Sequence, residues 1–193
     1  MRGLDESPTR MKENGCNSCT DNGWMGYDFI RKQGTGNEMT MVAAVGLEER
    51  IDPQLMVPDL KSNDRLGAIK ELVDRMHQAG WVGDSLSFLQ SVLVREDLET
   101  TVVTKGVAFP HARSHAVKRL GAAVGVSRDG VRFGDQGEPV HVVCLLGVPA
   151  SNSDDYLPLL ARVSQTFDDQ AFQVCLMECS SSEHMYRTIR AAL

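Results

Sequence analysis

The run Val140-His141-Val142-Val143-Cys144-Leu145-Leu146-Gly147-Val148 constrains this chain more than any other feature, because it is apolar at nearly every position. Strict alternation would mark a strand with one wet face. A run without alternation must be covered on both sides, which predicts a central strand of a sheet lying between layers of helix. Its fully apolar part, from Val142 to Val148, is far shorter than the roughly 18 residues a membrane-spanning helix needs.

The surrounding pattern supplies the helices. Leu66, Ile69, Leu72, Val73 and Met76 recur at helical spacing, with Asn63 or Asp64 as the start and Gly80 as the stop. A second helix is expected over residues 84–96, burying Leu86, Leu89, Val92 and Leu93. Short β-rich runs follow at residues 101–103, 107–109, 122–127 and 139–148, with turn chemistry at Lys105-Gly106, Asp129-Gly130 and Asp135-Gln136-Gly137. Three helices close the chain. The first carries the stripe Tyr156, Leu160, Val163 and Phe167; the second carries Phe172, Cys175, Leu176 and Cys179. The third starts near Ser182 and buries Met185, Ile189 and Leu193. Helices, then strands, then helices predict an α/β fold, a sheet covered by helices, over residues 47–193.

Residues 1–46 differ. They hold scattered glycines and charge without a period of 3.6 or 2, and such a segment buries too little apolar surface to offset its ordering entropy. They are expected to be a mostly disordered extension. They also lack the apolar core of a secretory signal. Composition narrows the partners: a formal net charge of −6 and a pI near 5.3 argue against a general electrostatic footprint on nucleic acid or an anionic membrane. Five cysteines, an odd number in a chain this long, do not form a disulfide framework, and a reducing cytoplasm is the expected setting.

Chemistry concentrates in one stretch. Arg95-Glu96-Asp97-Leu98-Glu99-Thr100-Thr101 leads into Lys105-Gly106-Val107-Ala108-Phe109-Pro110-His111-Ala112-Arg113. A histidine straight after proline, at the end of a short apolar strand, is displayed with little backbone freedom. A neutral imidazole can act as nucleophile, base or ligand. Arg95, Arg113 and the hydroxyls of Thr100 and Thr101 are what an incoming phosphoryl group would want, since guanidinium forks match its oxygens and stabilise charge that develops during transfer. The plainer alternative is a partly buried, hydrogen-bonded turn histidine, and spacing alone leaves both open.

The run GVAFPHAR, preceded by VLVREDLETT, resembles the active-site signature of the type-2 IIA (EIIA) components of the bacterial phosphoenolpyruvate-dependent phosphotransferase system, the mannitol/fructose-type family that includes the nitrogen-regulatory IIA proteins. IDPQLMVPDLKSNDRLGAIKELVDRM resembles that family's first strand and helix. GVSRDGVRFGDQGEPVHVVCLLGVPA and DDYLPLLARVSQTFDD resemble its mid-chain strands and following helix. The resemblance covers residues 47–193 and implies a mixed sheet with helices on both faces. It also implies that His111 accepts a phosphoryl group from the phosphocarrier HPr or a nitrogen-branch homologue. Arg95 would neutralise the phosphoryl charge, Thr101 would lie beside it, and Arg113 would be an accessory basic group. Many members carry a second active-site histidine where this chain has Tyr156. A phenol donates a hydrogen bond but brings no positive charge, and Tyr156 is equally the first residue of its apolar stripe.

Other signals are weaker. Cys16-Asn17-Ser18-Cys19 is an isolated CxxC, short of the four ligands zinc takes. Cys175 and Cys179 fit the core, and His111 with His115 lacks nearby carboxylates. His77, His141 and His184 are expected to be structural or solvent-facing. No glycine-rich dinucleotide or Walker loop is present, so no cofactor and no metal is expected. Three functions remain: a phosphorylatable nitrogen-type regulator, for which a single IIA-like domain without an attached IIB or IIC segment in these residues is suited; a relay passing phosphate to a separate IIB; and a binding module that kept the fold while losing transfer.

Overall fold

The computed structural model describes residues 47–134, 138–151 and 156–193. The expected extension over residues 1–46, its CxxC and the Asp135-Gln136-Gly137 turn lie outside the described residues.

The apolar run is the centre of the molecule. Two short 3-10 segments, Leu47–Arg50 and Pro53–Leu55, lead into β1 (Met56–Val57). Helices α1 (Arg65–Gln78) and α2 (Ser85–Leu98) follow, then β2 (Val102–Thr104), β3 (Val107–Ala108), β4 (His111–Ser114), β5 (Gly121–Val131) and β6 (Val140–Pro149). Helices α3 (Tyr156–Phe167), α4 (Gln170–Glu178) and α5 (Ser182–Ala192) complete it. The strand order is β1-β5-β6-β3-β2, and β4 also pairs with β6. The sheet is mixed: β1 runs parallel to β5, β3 and β4 run parallel to β6, and β5 with β6 and β2 with β3 are antiparallel. Every residue of β6 is buried except His141, which is half-buried, as a strand covered on both faces must be. α1 and α2 pack on each other and on β4–β6, and α4 reaches β5 and β6 while contacting α3 and α5.

Helix starts follow from local chemistry. Asp64 caps α1 by accepting from the Gly67 N–H at 3.0 Å, and Asp84 caps α2 by accepting from Ser87 N–H at 3.1 Å. Each satisfies an amide that the first turn leaves without an intrahelical partner. Gly80 ends the first helical segment at φ +79°, a left-handed conformation that costs glycine nothing.

Several sequence expectations are corrected. Leu66 is 51% exposed and Ala68 takes the inward position, since only the turns from Ala68 to Met76 face the sheet. Leu86 is exposed and Leu89 and Leu93 are half-buried; the buried line of α2 is Phe88, Val92 and Glu96, the narrow stripe at i, i+4 and i+8 that faces its neighbours. Asp129-Gly130 is not a turn between strands: β5 runs through it with a register shift between Val126 and Val131, and Gly130 adopts φ +82°. Residues 111–114 form a further strand, β4, beyond the expected strand end at Phe109, because they extend the pairing of β3 with β6 past Pro110.

Candidate functional site

His111 stands where the β3–β6 pairing breaks and resumes. Val107 and Ala108 pair with Val142 and Val143, and His111 to Ser114 pair with Leu146 to Pro149. Between them Pro110 has no N–H to give, while its carbonyl accepts from Leu146 N–H at 2.9 Å. Strand alternation then puts His111 and Arg113 on the outer face and buries Ala112 and Ser114.

The ring is oriented by its own backbone. His111 Nδ1 lies 2.9 Å from the Phe109 carbonyl oxygen. A carbonyl only accepts, so Nδ1 carries the proton and the neutral ring keeps its lone pair on Nε2. Burial holds the imidazole pKa below its ordinary value, as does the Arg95 guanidinium, against the opposing pull of the Phe109 carbonyl and Glu96. His111 is therefore neutral at pH 7.

A cleft of about 340 Å³ opens over it. α2 contributes Ser91, Val94, Arg95 and Leu98, β4 contributes His111, Ala112 and Arg113, β6 contributes Val148, and α3 contributes Tyr156. The Tyr156 and His111 rings are tilted at 44° with centroids 5.6 Å apart. Burial raises the Tyr156 phenol above its ordinary value, opposed by Arg95 and Arg113, so the phenol keeps its proton and can donate it. Arg95 also caps its own helix, donating to the Glu99 carbonyl at 3.0 Å. Two roomier clefts, about 620 Å³ over Arg50, Lys118 and Arg119 and about 570 Å³ beside Arg65 and Arg132, hold no histidine or cysteine. Size does not mark the candidate site; a histidine among its lining residues does.

Four of the five residues singled out by sequence thus share one cleft: His111, Arg95, Arg113 and Tyr156. Thr101 does not line it. Its side chain is buried, and its hydroxyl donates to Glu96 Oε2 at 2.5 Å while its N–H donates to Glu96 Oε1 at 3.0 Å. Thr100 is exposed. Glu96 is the residue that pattern reading passed over, and an inward carboxylate at i+4 from Val92 was the available signal. The structural alternatives for the other histidines hold where bonds are drawn: His77 Nδ1 meets the Val82 carbonyl and His141 Nδ1 the Ser127 carbonyl, each at 3.0 Å.

The family model described as "Phosphoenolpyruvate-dependent sugar phosphotransferase system, EIIA 2" matches residues 49–192. A fructose-specific EIIA component of Haloferax volcanii is 31% identical over 118 residues, covering 61% of this chain and 77% of that protein. A nitrogen regulatory protein of Bradyrhizobium diazoefficiens is 27% identical over 144 residues, covering 74% of this chain and 94% of that protein. The fructose-specific EIIABC component of Bacillus subtilis is 27% identical over 65% of this chain, which spans only 20% of that protein's length. Among solved structures, the nitrogen regulatory protein IIA-Ntr of Neisseria meningitidis superposes with a TM-score of 0.66 at 24% identity, over 74% of this chain and 98% of that one. IIA mannitol of Escherichia coli gives 0.62 at 19% identity, over 72% and 98%. Likeness at these identities establishes the mixed α/β fold.

Proposed function

The chain belongs to the EIIA type 2 family of the phosphoenolpyruvate-dependent sugar phosphotransferase system, and from that premise we propose that it is a phosphohistidine carrier whose acceptor is His111. The observation that carries this is the ring itself: a neutral imidazole with Nδ1 tied to the Phe109 carbonyl and Nε2 bare, in a cleft flanked by Arg95 and Arg113.

The Nε2 lone pair attacks the phosphorus of a phosphohistidine on HPr or a nitrogen-branch homologue. The new N–P bond forms as the donor's N–P bond breaks, and the donor imidazole leaves with that electron pair. Little covalent work falls to the protein, so positioning and charge stabilisation dominate. Arg95 and Arg113 offset the spreading oxygen charge, and the Tyr156 phenol donates to a phosphoryl oxygen without adding charge. Val94 and Leu98, 65% and 79% exposed beside the cleft, suit a protein donor better than a free metabolite, since apolar rim surface is buried only by another surface. Thr101 acts from below, through the backbone.

The role is regulatory. Phosphorylation replaces a neutral ring by an anion on this contact surface and so switches affinity for a protein target. Tyr156, uncharged where a second cation would assist onward release, supports this over relay to a sugar-system IIB. The fructose EIIA relatives support the relay as the second reading. Incubation with phosphoenolpyruvate, enzyme I and HPr, read by intact mass, should add one acid-labile phosphoryl group that His111→Ala does not gain. No gain from a competent donor would leave a binding module. Transfer onward to a IIB acceptor would replace the regulatory role by the relay.

A further inference from the structure

We propose that the buried Glu96 is a positioning residue that, acting through Thr101 and the Phe109 carbonyl, holds the His111 ring with Nδ1 protonated and Nε2 bare. This rests on the reading of His111 as the phosphoryl acceptor.

Glu96 is 2% exposed, and a carboxylate so placed is costly unless its oxygens are bonded. Both are taken by one residue. Thr101 gives its N–H to Oε1 at 3.0 Å and its hydroxyl to Oε2 at 2.5 Å. The Thr101 carbonyl accepts from Phe109 N–H at 3.0 Å, and the Phe109 carbonyl accepts from His111 Nδ1 at 2.9 Å. Four bonds therefore run from a helix carboxylate to the imidazole without a gap. The Phe109 ring is buried edge-on against Phe167, centroids 5.9 Å apart. Pro110 limits the rotation left between Phe109 and His111.

The residue type matters. Two donors converge from Thr101, and a carboxylate accepts at both oxygens with no hydrogen left over, whereas a glutamine would bring an amide donor into the same dry site. The placement matters as well. Glu96 follows Arg95 in the last turn of α2, so the anchor that orients the ring also ties the arginine's turn to Thr101, just before β2. When the phosphoryl group is on Nε2, the Nδ1–H bond to Phe109 is still available, so free and phosphorylated forms share one support.

The test reads the ring directly, by long-range ¹H–¹⁵N correlation on the ¹⁵N-labelled full chain at pH 7.5, beside the rate of phosphoryl acceptance from phospho-HPr. In the wild type, Nδ1 should show the shift of a protonated nitrogen and Nε2 that of a bare one. In Glu96→Gln and in Thr101→Val, the two shifts should move toward each other and the acceptance rate at saturating donor fall about tenfold, as when a histidine loses its orienting partner, with the KM for phospho-HPr unchanged. Thr101→Ser, which keeps both donors, should restore spectrum and rate. Thr101→Val keeps the side chain's volume and the backbone donor and decides the matter should Glu96→Gln not fold. A wild-type ring protonated on Nε2, or folded Glu96→Gln and Thr101→Val proteins with the wild-type spectrum and rate, would overturn the proposal. A bare Nε2 that accepts no phosphoryl group would instead sink the carrier reading and leave the positioning intact.

Discussion

His111 and His141 make the same bond in different surroundings. Each is half-buried in or beside the central strand pair, and each presents Nδ1 to a backbone carbonyl, at 2.9 Å from Phe109 and 3.0 Å from Ser127. At His141 the backbone comes close: its N–H donates to the Gly106 carbonyl at 2.8 Å, and a Cβ added at Gly130 would come within 3.3 Å of its ring. Around His111 they are two guanidiniums and a phenol. An oriented imidazole is therefore not a site by itself; what converts one is the chemistry facing the nitrogen left bare.

The largest effect should come from removing the two rings in turn. His111→Ala should abolish acid-labile labelling, while His141→Ala labels normally and loses about 1–3 kcal/mol of stability in urea unfolding, the cost of a bonded buried group left without its partner. Labelling lost from the His141 variant instead would erase the contrast. Arg95→Ala should slow acceptance on the order of a hundredfold in rapid quench, as when one preorganised donor to a transferring group is deleted, with no comparable effect from Lys105→Ala beside His141's partner Gly106. Tyr156→Phe keeps the apolar stripe and removes only the hydroxyl, so its acceptance rate should fall about fivefold, the worth of one hydrogen bond.

A smaller effect follows pH. Burial lowers the folded-state pKa of His111 below its unfolded value near 6.5. Between those two values the unfolded chain binds the extra proton, so this group's stability contribution is complete above about 6.5 and is lost as pH falls through that value toward the folded one. Acceptance should accordingly persist at pH 6.5 and decline only below it. The stability difference between wild type and His111→Ala should narrow over the same interval in urea titrations. The smallest response should be that of Cys144, whose thiol burial pushes up to about 12: it should not react with a thiol reagent at pH 8 while the protein is folded.

Much of this was legible in the chain. The two-sided apolar run announced β6, and the starts read at Asn63 or Asp64 and at residue 84 placed the beginnings of α1 and α2 to within two residues. Burial of individual side chains was less legible. Leu86 satisfies the helical period yet is 63% exposed, because a period says which residues share a face and not how wide the covering surface is. Glu96 was missed for the converse reason: a charged residue in a helical pattern is read as solvated, and only its pairing with Thr101 makes burial tolerable. The hydroxyl of Thr101 and the family resemblance point it to the phosphoryl group, whereas the structure has it donating to the buried Glu96 carboxylate.

By itself, then, the sequence determined the elements, the central strand and the residues able to carry phosphoryl chemistry, since these depend on local periodicity, capping and side-chain type. Tertiary structure alone decided which imidazole nitrogen is bare, that Arg95 on α2 and Tyr156 on α3 meet His111, and that Glu96 lies inside. The first and last depend on backbone geometry and burial around short-range bonds, Phe109 to His111 and Glu96 to Thr101. The second depends on helices far apart in the chain that packing brings to one cleft. Side-chain type and periodicity encode none of the three.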